Sequence, residues 1–363
     1  MKKELPNAAR LPDLSPLLAW YKESARALPW RETRDPYRIW VSEIMLQQTR
    51  VEAVIPYYHR FLAALPDVAA LANAPEEQIL KLWEGLGYYS RVRNMQKAAK
   101  VIMSQYGGVF PNNYADIMAL PGIGEYTAGA IGAFAFDLPV PAVDGNVLRV
   151  AARLVACDAD VLAPTTRRVL TERVREAQNG LPPADFNQAI IELGAIVCLP
   201  NGMPKCEQCP LADRCAARAQ GRETELPVRR APTPRKIAEK TVLILREGDR
   251  VALRKRPDTG LLAGLFEPYS LDGIRSTDEV HAFLKTCGVT PLYLTPLERA
   301  KHIFTHVEWQ MVGFEVILDT GDFAKMVQNG EKNGMDALFL APRDEIDRCY
   351  AVPTAYRAYR PYM

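Results

Sequence analysis

Two carboxylates and four thiols carry the chemistry that can be read from this 363-residue chain. Glu43 stands in IWVSEIMLQQT, flanked by Trp40, Val41, Ile44, Met45 and Leu46. A lone carboxylate in so apolar a helix loses hydration, and desolvation raises its pKa until it can hold a proton near neutral pH. The plainer alternative puts Glu43 on a narrow polar stripe with Gln47 and Arg50. Asp144 has the opposite setting, just before an apolar-periodic run from Val147 to Val155. The backbone N–H groups and positive dipole end of a helix favour an anion there, although capping alone would also explain the residue. One carboxyl kept as an acid and one kept as an anion is the pairing that cleavage of a glycosidic bond uses.

Cys198, Cys206, Cys209 and Cys215 are spaced C-x7-C-x2-C-x5-C. Four thiolates so close together suit one tetrahedral metal or one 4Fe–4S cluster. Zinc is the default for a four-Cys site, but a zinc ribbon usually offers two C-x2-C knuckles and only one is present. A third feature is the turn Pro121-Gly122-Ile123-Gly124 between two helical patterns. Gly122 and Gly124 can take φ > 0 and let the backbone approach another surface closely. The helix that follows would aim its N-terminal N–H groups at that surface, a local anion site suited to a phosphate. An ordinary helix–helix turn is the alternative. Gly129 and Gly132 are small positions where a second helix could approach, and the helix should fail near Pro139 and Pro141.

The elements that must hold these groups are mostly helical. Residues 14 to about 218 read almost entirely as helices, opened by Ser15-Pro16 and renewed at Pro75-Glu76-Glu77, with Gly107-Gly108 closing the run that began at Pro75. Residues 222–238 form a linker by composition, rich in proline and charge. Beyond it the period changes. Thr241–Arg246 and Arg250–Lys255 read as short alternating strands around Glu247-Gly248-Asp249. Ser276-x-x-Glu279 is a capping box opening a helix to about Cys287. Val307–Leu318 and Ala337–Leu340 read as strands, and the last residues as one more helix. The layout is an all-α domain (1–221), a tether, and a smaller α/β domain (239–363).

The totals exclude several classes. Net charge is +2, so affinity for nucleic acid must come from local patches and backbone donors. No apolar run approaches the roughly 20 residues that span a bilayer, and MKKELPNAARLPD lacks the apolar core of a signal peptide. Seven cysteines, an odd count, with no export signal argue against a disulfide framework and for a reducing, cytoplasmic location.

LPGIGEYTAGAIGAFAFDLPVPAVD (120–144) resembles the helix-hairpin-helix plus aspartate signature of the endonuclease III superfamily of DNA glycosylases. LPWRETRDPYRIWVSEIMLQQTRV (28–51), LWEGLGYYSRVRN (82–94), VDGNV (143–147) and FNQAIIELGAIVC (186–198) extend the likeness to the MutY-type adenine glycosylases, over nearly the whole chain. The resemblance implies an all-α helix-hairpin-helix domain, with the hairpin at about 114–136 and an iron–sulfur loop at 198–215, joined to a nudix-like α/β domain. It implies a monomer, without membrane contact, that removes adenine opposite 8-oxoguanine or guanine in double-stranded DNA. Glu43 would protonate adenine at N7 and Asp144 would stabilise the oxocarbenium-like sugar, with Tyr126 and Asn146 in support. Trp30, Arg31, Leu46 and Gln188 would line the base pocket. Gly122 and Gly124 would bind DNA phosphate.

Gln47, Gln48 and Thr49, on the helix of Glu43, and a second tip at Leu86, Gly87 and Tyr88 would act as wedges. Core packing is the other reading of Tyr88-Tyr89. The cysteines would hold one 4Fe–4S cluster, zinc being the alternative; the family's first gap is usually one residue shorter than Leu199–Lys205. Bifunctional relatives carry a lysine where this chain has Tyr126, so a monofunctional enzyme is expected rather than a glycosylase/lyase. A non-catalytic DNA-binding protein would not require the Glu43–Asp144 pair.

Residues 239–363 lack the G-x5-E-x7-R-E-x-x-E-E box of nudix hydrolases, although GLLAGLFEP (260–268) matches the family's Gly-rich loop. Phe304-Thr305-His306 stands where the family has a Phe-Ser-His loop that inspects 8-oxoguanine. An ordinary strand-entry loop is the alternative.

Overall fold

The computed structural model describes residues 10–230, 234–330, 334–335 and 337–363. Its chain divides into two compact units. One contains the residues up to Asn73 and those from Asn94 to the linker. The other contains Ala74–Arg93 and the described residues from 234 onward.

The helices run α1 (Pro16–Ser24), α2 (Pro36–Leu46), α3 (Val51–Ala64), α4 (Val68–Asn73), α5 (Glu76–Leu82), α6 (Ser90–Gln105), α7 (Tyr114–Ala119), α8 (Glu125–Phe136), α9 (Gly145–Leu154), α10 (Pro164–Gln178), α11 (Pro183–Ile196) and α12 (Ala216–Ala219). The run expected from Pro75 is broken into α5 and α6 by a turn in which Gly85, Gly87 and Tyr88 all have positive φ. This turn and α5 belong to the second unit, not to the all-α domain expected at 1–221. The core of the helical unit is built where α9 and α11 meet α1 and α10, around Leu17, Val147, Val150, Leu170, Phe186, Ile190 and Leu193.

α7, the turn 120–124 and α8 form the expected hairpin. Gly122 has φ +77°, but Gly124 has φ −103° and caps α8 in an extended conformation. α8 ends at Phe136, where Asp137 turns left-handed before the two prolines. Gly129 and Gly132 meet the returning chain rather than a second helix. A Cβ on Gly129 would lie 2.3 Å from the Pro141 carbonyl oxygen, and one on Gly132 3.2 Å from the Leu138 and Val140 side chains. Among the described residues, nothing lies within 4 Å of a Cβ at Gly124. Gly129→Ala should therefore destabilise the helical unit by about 1–3 kcal/mol, because backbone must move. Gly124→Ala should cost less, roughly 0.5–1 kcal/mol, the loss of a glycine cap without a clash. Urea unfolding of the two variants checks the contrast, and equal midpoints would contradict it.

The second unit carries β1 (Lys236–Glu247), β2 (Arg250–Lys255), β3 (Phe266–Glu267), β4 (Tyr269–Asp272), α13 (Thr277–Thr286), β5 (Tyr293–Ile303), β6 (Val307–Leu318), α14 (Asp322–Asn329), β7 (Leu338–Pro342) and α15 (Arg343–Cys349). The sheet order is β3-β2-β1-β6-β5, with β4 also on β1 and β7 on β2. The expected hairpin forms with Arg246 opposite Val251. β1 is longer than the sequence suggested, starts inside the 222–238 stretch, and runs parallel to β6 from Lys236↔Val307 to Glu247↔Leu318. Its middle, Thr241–Leu245, is buried without alternation because both faces of the sheet are covered. Residues 231–233 of the expected linker lie outside the described residues.

The Ser276/Glu279 capping box forms as predicted. The chain end, Thr354–Tyr362, forms the further helix expected there, of the 3-10 type. Among the described residues no helix is long and apolar enough to cross a membrane.

Candidate active site

α2 is launched by Asp35, whose side chain accepts from the Tyr37 and Arg38 N–H groups, with Pro36 at the first helical position. The helix then buries every residue from Ile39 to Met45, and Glu43 is left 5% exposed. The polar-stripe alternative fails because Gln47 and Arg50 stand beyond the helix, which ends at Leu46. Gln47–Thr49 form the turn that follows, with Gln48 exposed at φ +59°.

Tyr126, in the first turn of α8, donates its hydroxyl to Glu43 Oε2 at 2.7 Å. Burial pushes Glu43 up to about 7. The Tyr126 hydrogen bond opposes that rise, the charge of Asp144 adds to it, and Arg31 counters it.

Asp144 caps α9. Its Oδ1 accepts from the Asn146 and Val147 N–H groups at 2.8 Å each, and its Oδ2 from Asn146 Nδ2 at 2.7 Å. The cap was expected to favour the anion. The three hydrogen bonds do act that way, but burial outweighs them and raises Asp144 above the usual carboxylate value. Asn146 is fixed in turn. Its Oδ1 accepts from Arg149 Nη2 at 3.0 Å, and a Cβ at Gly194 would stand 2.7 Å from the Asn146 Cβ, so α11 can lie this close only with glycine there. Arg149 also donates to the carbonyls of Gly194 and Cys198.

One cavity of about 600 Å³ within the helical unit gathers these groups. It is lined by Trp30, Arg31, Glu43, Leu46, Gln47, Gln48, Thr49, Tyr126, Asp144, Asn146 and Gln188, residues that the sequence had nominated from five separate segments. It also contains Arg26, which no local pattern in the sequence marks. Behind Arg26 stands Glu192 of α11, fully buried, which pairs with both Arg26 and Arg31. Tyr21 donates its hydroxyl to Gln188 Oε1 and lies under the Arg31 guanidinium. Among the described residues no lysine lines the cavity.

Residues 41–176 match the model of the HhH-GPD superfamily base excision DNA repair proteins, and residues 241–360 match the NUDIX domain. The chain is 39% identical to an adenine DNA glycosylase of Buchnera aphidicola (subspecies Baizongia pistaciae), over 69% of this chain and 71% of that protein. It is 36% identical to the adenine DNA glycosylase of Mus musculus, over 84% of this chain and 70% of that one. The chain belongs to the adenine DNA glycosylase family. A solved structure described as a thermostable thymine-DNA glycosylase superposes with a TM-score of 0.51 at 30% identity, over 57% of this chain and 94% of that one. This glycosylase is thus a base-excision repair hydrolase of N-glycosyl bonds, with a helix-hairpin-helix unit and a nudix-like unit.

The other nominated residues lie outside the cavity. In the second unit, Leu86 is buried and Tyr88 is 49% exposed. The Tyr88 hydroxyl is 3.1 Å from Thr305 Oγ1. Phe304 packs edge-on against Trp309, centroids 4.9 Å apart, while Thr305 and His306 are exposed in the turn between β5 and β6.

The four cysteines line one apolar cavity beside α9 and α11. Burial raises the Cys209 thiol to about 11, and Cys198, Cys215 and Cys206 push the same way. Arg153 Nη1 donates to Cys198 Sγ at 3.1 Å. Among the described residues no three metal-ligating side chains converge at the spacing of a single ion.

Proposed function

We propose that this glycosylase removes adenine paired with 8-oxoguanine in double-stranded DNA, with Glu43 as general acid and Asp144 as the group that stabilises the sugar cation. The observation that carries the reading is the buried Glu43, held by Tyr126 in the cavity that Asp144 also lines. A carboxyl with a pKa of about 7 holds a proton at working pH and can deliver it to adenine N7. The C1′–N9 electron pair then leaves with the neutralised base. The cationic sugar faces Asp144. Water adds at C1′, and its proton passes to the Glu43 anion left by the first transfer, which restores the acid. Tyr126 stays hydrogen-bonded to Glu43 throughout. It offers no amine for Schiff-base chemistry, which favours hydrolysis without strand cleavage.

Several features support contact with DNA. The Gly124 cap leaves the first N–H groups of α8 without a side-chain acceptor, suited to a phosphate held by backbone donors. Glu125 in that turn adds no attraction, so Gly122 and Gly124 act through backbone geometry. Gln48, between Gln47 and Thr49 in one turn, and Tyr88, two residues after Leu86 in another, are exposed at positive φ and are the wedge candidates.

Four cysteines around one apolar cavity suit a 4Fe–4S cluster. Four thiolates could equally close on one zinc, and iron content with absorbance near ~400 nm would separate the two. When bound, a cluster would tie the 198–215 loop to the helical unit.

Recognition of 8-oxoguanine is assigned to Thr305 and His306. Phe304 is engaged with Trp309, so Phe304→Ala should also loosen the sheet core. His306→Ala is the cleaner probe. It should reduce single-turnover release from 8-oxoguanine:adenine by about tenfold, in keeping with a loss of one or two kcal/mol of polar recognition, and leave guanine:adenine within about twofold. Equal loss on both duplexes would remove the assignment. The reading as a whole is tested by single-turnover adenine release from an 8-oxoguanine:adenine duplex, and absence of free adenine would overturn it.

A further inference from the structure

The mechanism leaves one fully buried carboxylate unused. Glu192 sits one helical turn after Gln188 on α11, at 0% exposure. Its Oε1 accepts from the Arg26 backbone N–H at 3.0 Å and from Arg26 Nε at 2.8 Å. Its Oε2 accepts from Arg26 Nη2 at 2.8 Å and Arg31 Nη2 at 2.7 Å. Arg31 Nη1 donates to the Arg26 carbonyl at 3.0 Å. Both arginines line the cavity that holds Glu43 and Asp144. The wall is thus two guanidiniums sharing one anion, with a surplus of one positive charge.

A free guanidinium beside a carboxyl favours the ionised form of that carboxyl. A general acid has to avoid such a partner while it waits for the base. We infer that Glu192 is a positioning residue for the reaction: by binding Arg31 together with Arg26, it keeps the neighbouring guanidinium from pairing with Glu43, and so preserves Glu43 as a proton donor. The inference rests on the reading of Glu43 as the acid.

The charged and titratable groups acting on Glu43 are Tyr126 from α8, Asp144 from α9 and Arg31 from the Pro29–Arg31 turn. Tyr126 is already committed as a donor to Glu43 and Asp144 to the cap of α9. Arg31 acts on Glu43 through its charge and lines the same cavity, while its hydrogen bond goes to the fully buried Glu192. The two guanidiniums hold Glu192 at about 2 against the burial that would raise it, so it stays an anion throughout the working range.

The test is the pH profile of single-turnover adenine release for the full chain. In the wild type the rate should fall on the alkaline side as Glu43 ionises. In Glu192→Gln the released Arg31 should move that fall about 0.7 pH lower, which is about fivefold in rate above it, with rates at the acid end close to wild type. Arg31→Met removes the competing cation and should move the fall upward, whatever its effect on the plateau. This second variant decides the matter if Glu192→Gln does not fold. A uniform loss of rate with no displacement of the fall in the folded variants would reduce Glu192 to a structural role and overturn the inference. A wild-type profile without an alkaline fall would instead sink the reading of Glu43 itself, and this inference with it.

Discussion

Glu43→Gln should lose about 10²–10⁴-fold in single-turnover adenine release and, in the same protein, gain stability above neutral pH. The two effects have one cause. Glu43 is buried in a helix surrounded by apolar side chains, and only its neutral form is comfortable there. Its pKa is about 7 in the folded protein against an ordinary 4.5. Below pH 4.5 it is neutral both folded and unfolded, and the native state bears no penalty. As pH rises toward 7 the unfolded chain ionises first, so the native state loses stability relative to it. Above 7 the full penalty, on the order of 3 kcal/mol, is present. Glutamine does not titrate, and its amide oxygen can still accept the Tyr126 hydroxyl. The melting temperature of the helical unit should therefore be matched in the two proteins at low pH and higher in Glu43→Gln above pH 7. A residue with a purely structural role would show the reverse, lower stability with activity falling in step. Retained activity would eliminate Glu43 as the acid.

Much of this site could be read from the chain because each segment advertises itself locally. Asp35-Pro36 starts α2, the apolar run around Glu43 foretells desolvation, and Asp144 precedes a helix it does cap. The missing parts depend on distant partners. Glu192 in AIIELGAIV is as isolated among apolar residues as Glu43, and the same argument would have singled it out. What it lacks in sequence is a sign that Arg26 and Arg31, 166 and 161 residues earlier, would ionise it. The two carboxyls look alike in the chain and end with opposite shifts, one near 7 and one near 2, because burial prevails at Glu43, where one tyrosine hydrogen bond offsets it only in part, and two guanidiniums overcome it at Glu192.

The second unit was less legible for a related reason. β5 has a largely exposed, polar pattern interrupted by Pro296 and a bulge between Leu297 and Ala300, as an edge strand tolerates, and it offers no alternation to detect. The transfer of Ala74–Arg93 to that unit rests on long-range pairings, Lys255 with Glu77, Lys81 with the Tyr350 carbonyl and Arg93 with the Ala263 carbonyl, which a helical period running through the segment cannot announce.

Asp144→Asn should cost about 10²–10³-fold in the same assay, the range for loss of one preorganised electrostatic contact to a developing charge. Asparagine looks conservative here and is not. The carbonyl oxygen of the introduced amide can still accept from the Asn146 and Val147 N–H groups. Its NH₂ group would then face Asn146 Nδ2, a donor that now meets the Asp144 Oδ2 at 2.7 Å. Asn146 cannot flip to relieve this without taking its Oδ1 away from Arg149 Nη2. The variant therefore removes the anion and also sets two donors against each other. Asp144→Ser separates these effects, because serine remains a good cap, carries no charge and is too short to meet Asn146. Loss of rate in both variants, with α9 intact in the serine protein, assigns the effect to charge.

The pH profile gives a further check. Ionised Asp144 and protonated Glu43 are needed together, so the wild-type rate should be bell-shaped, with limbs that belong to the coupled pair. The anion of Asp144 helps to raise Glu43. Without it, the residual activity of either variant should lose its alkaline limb at a lower pH than the wild type. A limb that stays in place would mean that the two carboxyls do not sense each other, and the proposed division of labour between them would fail.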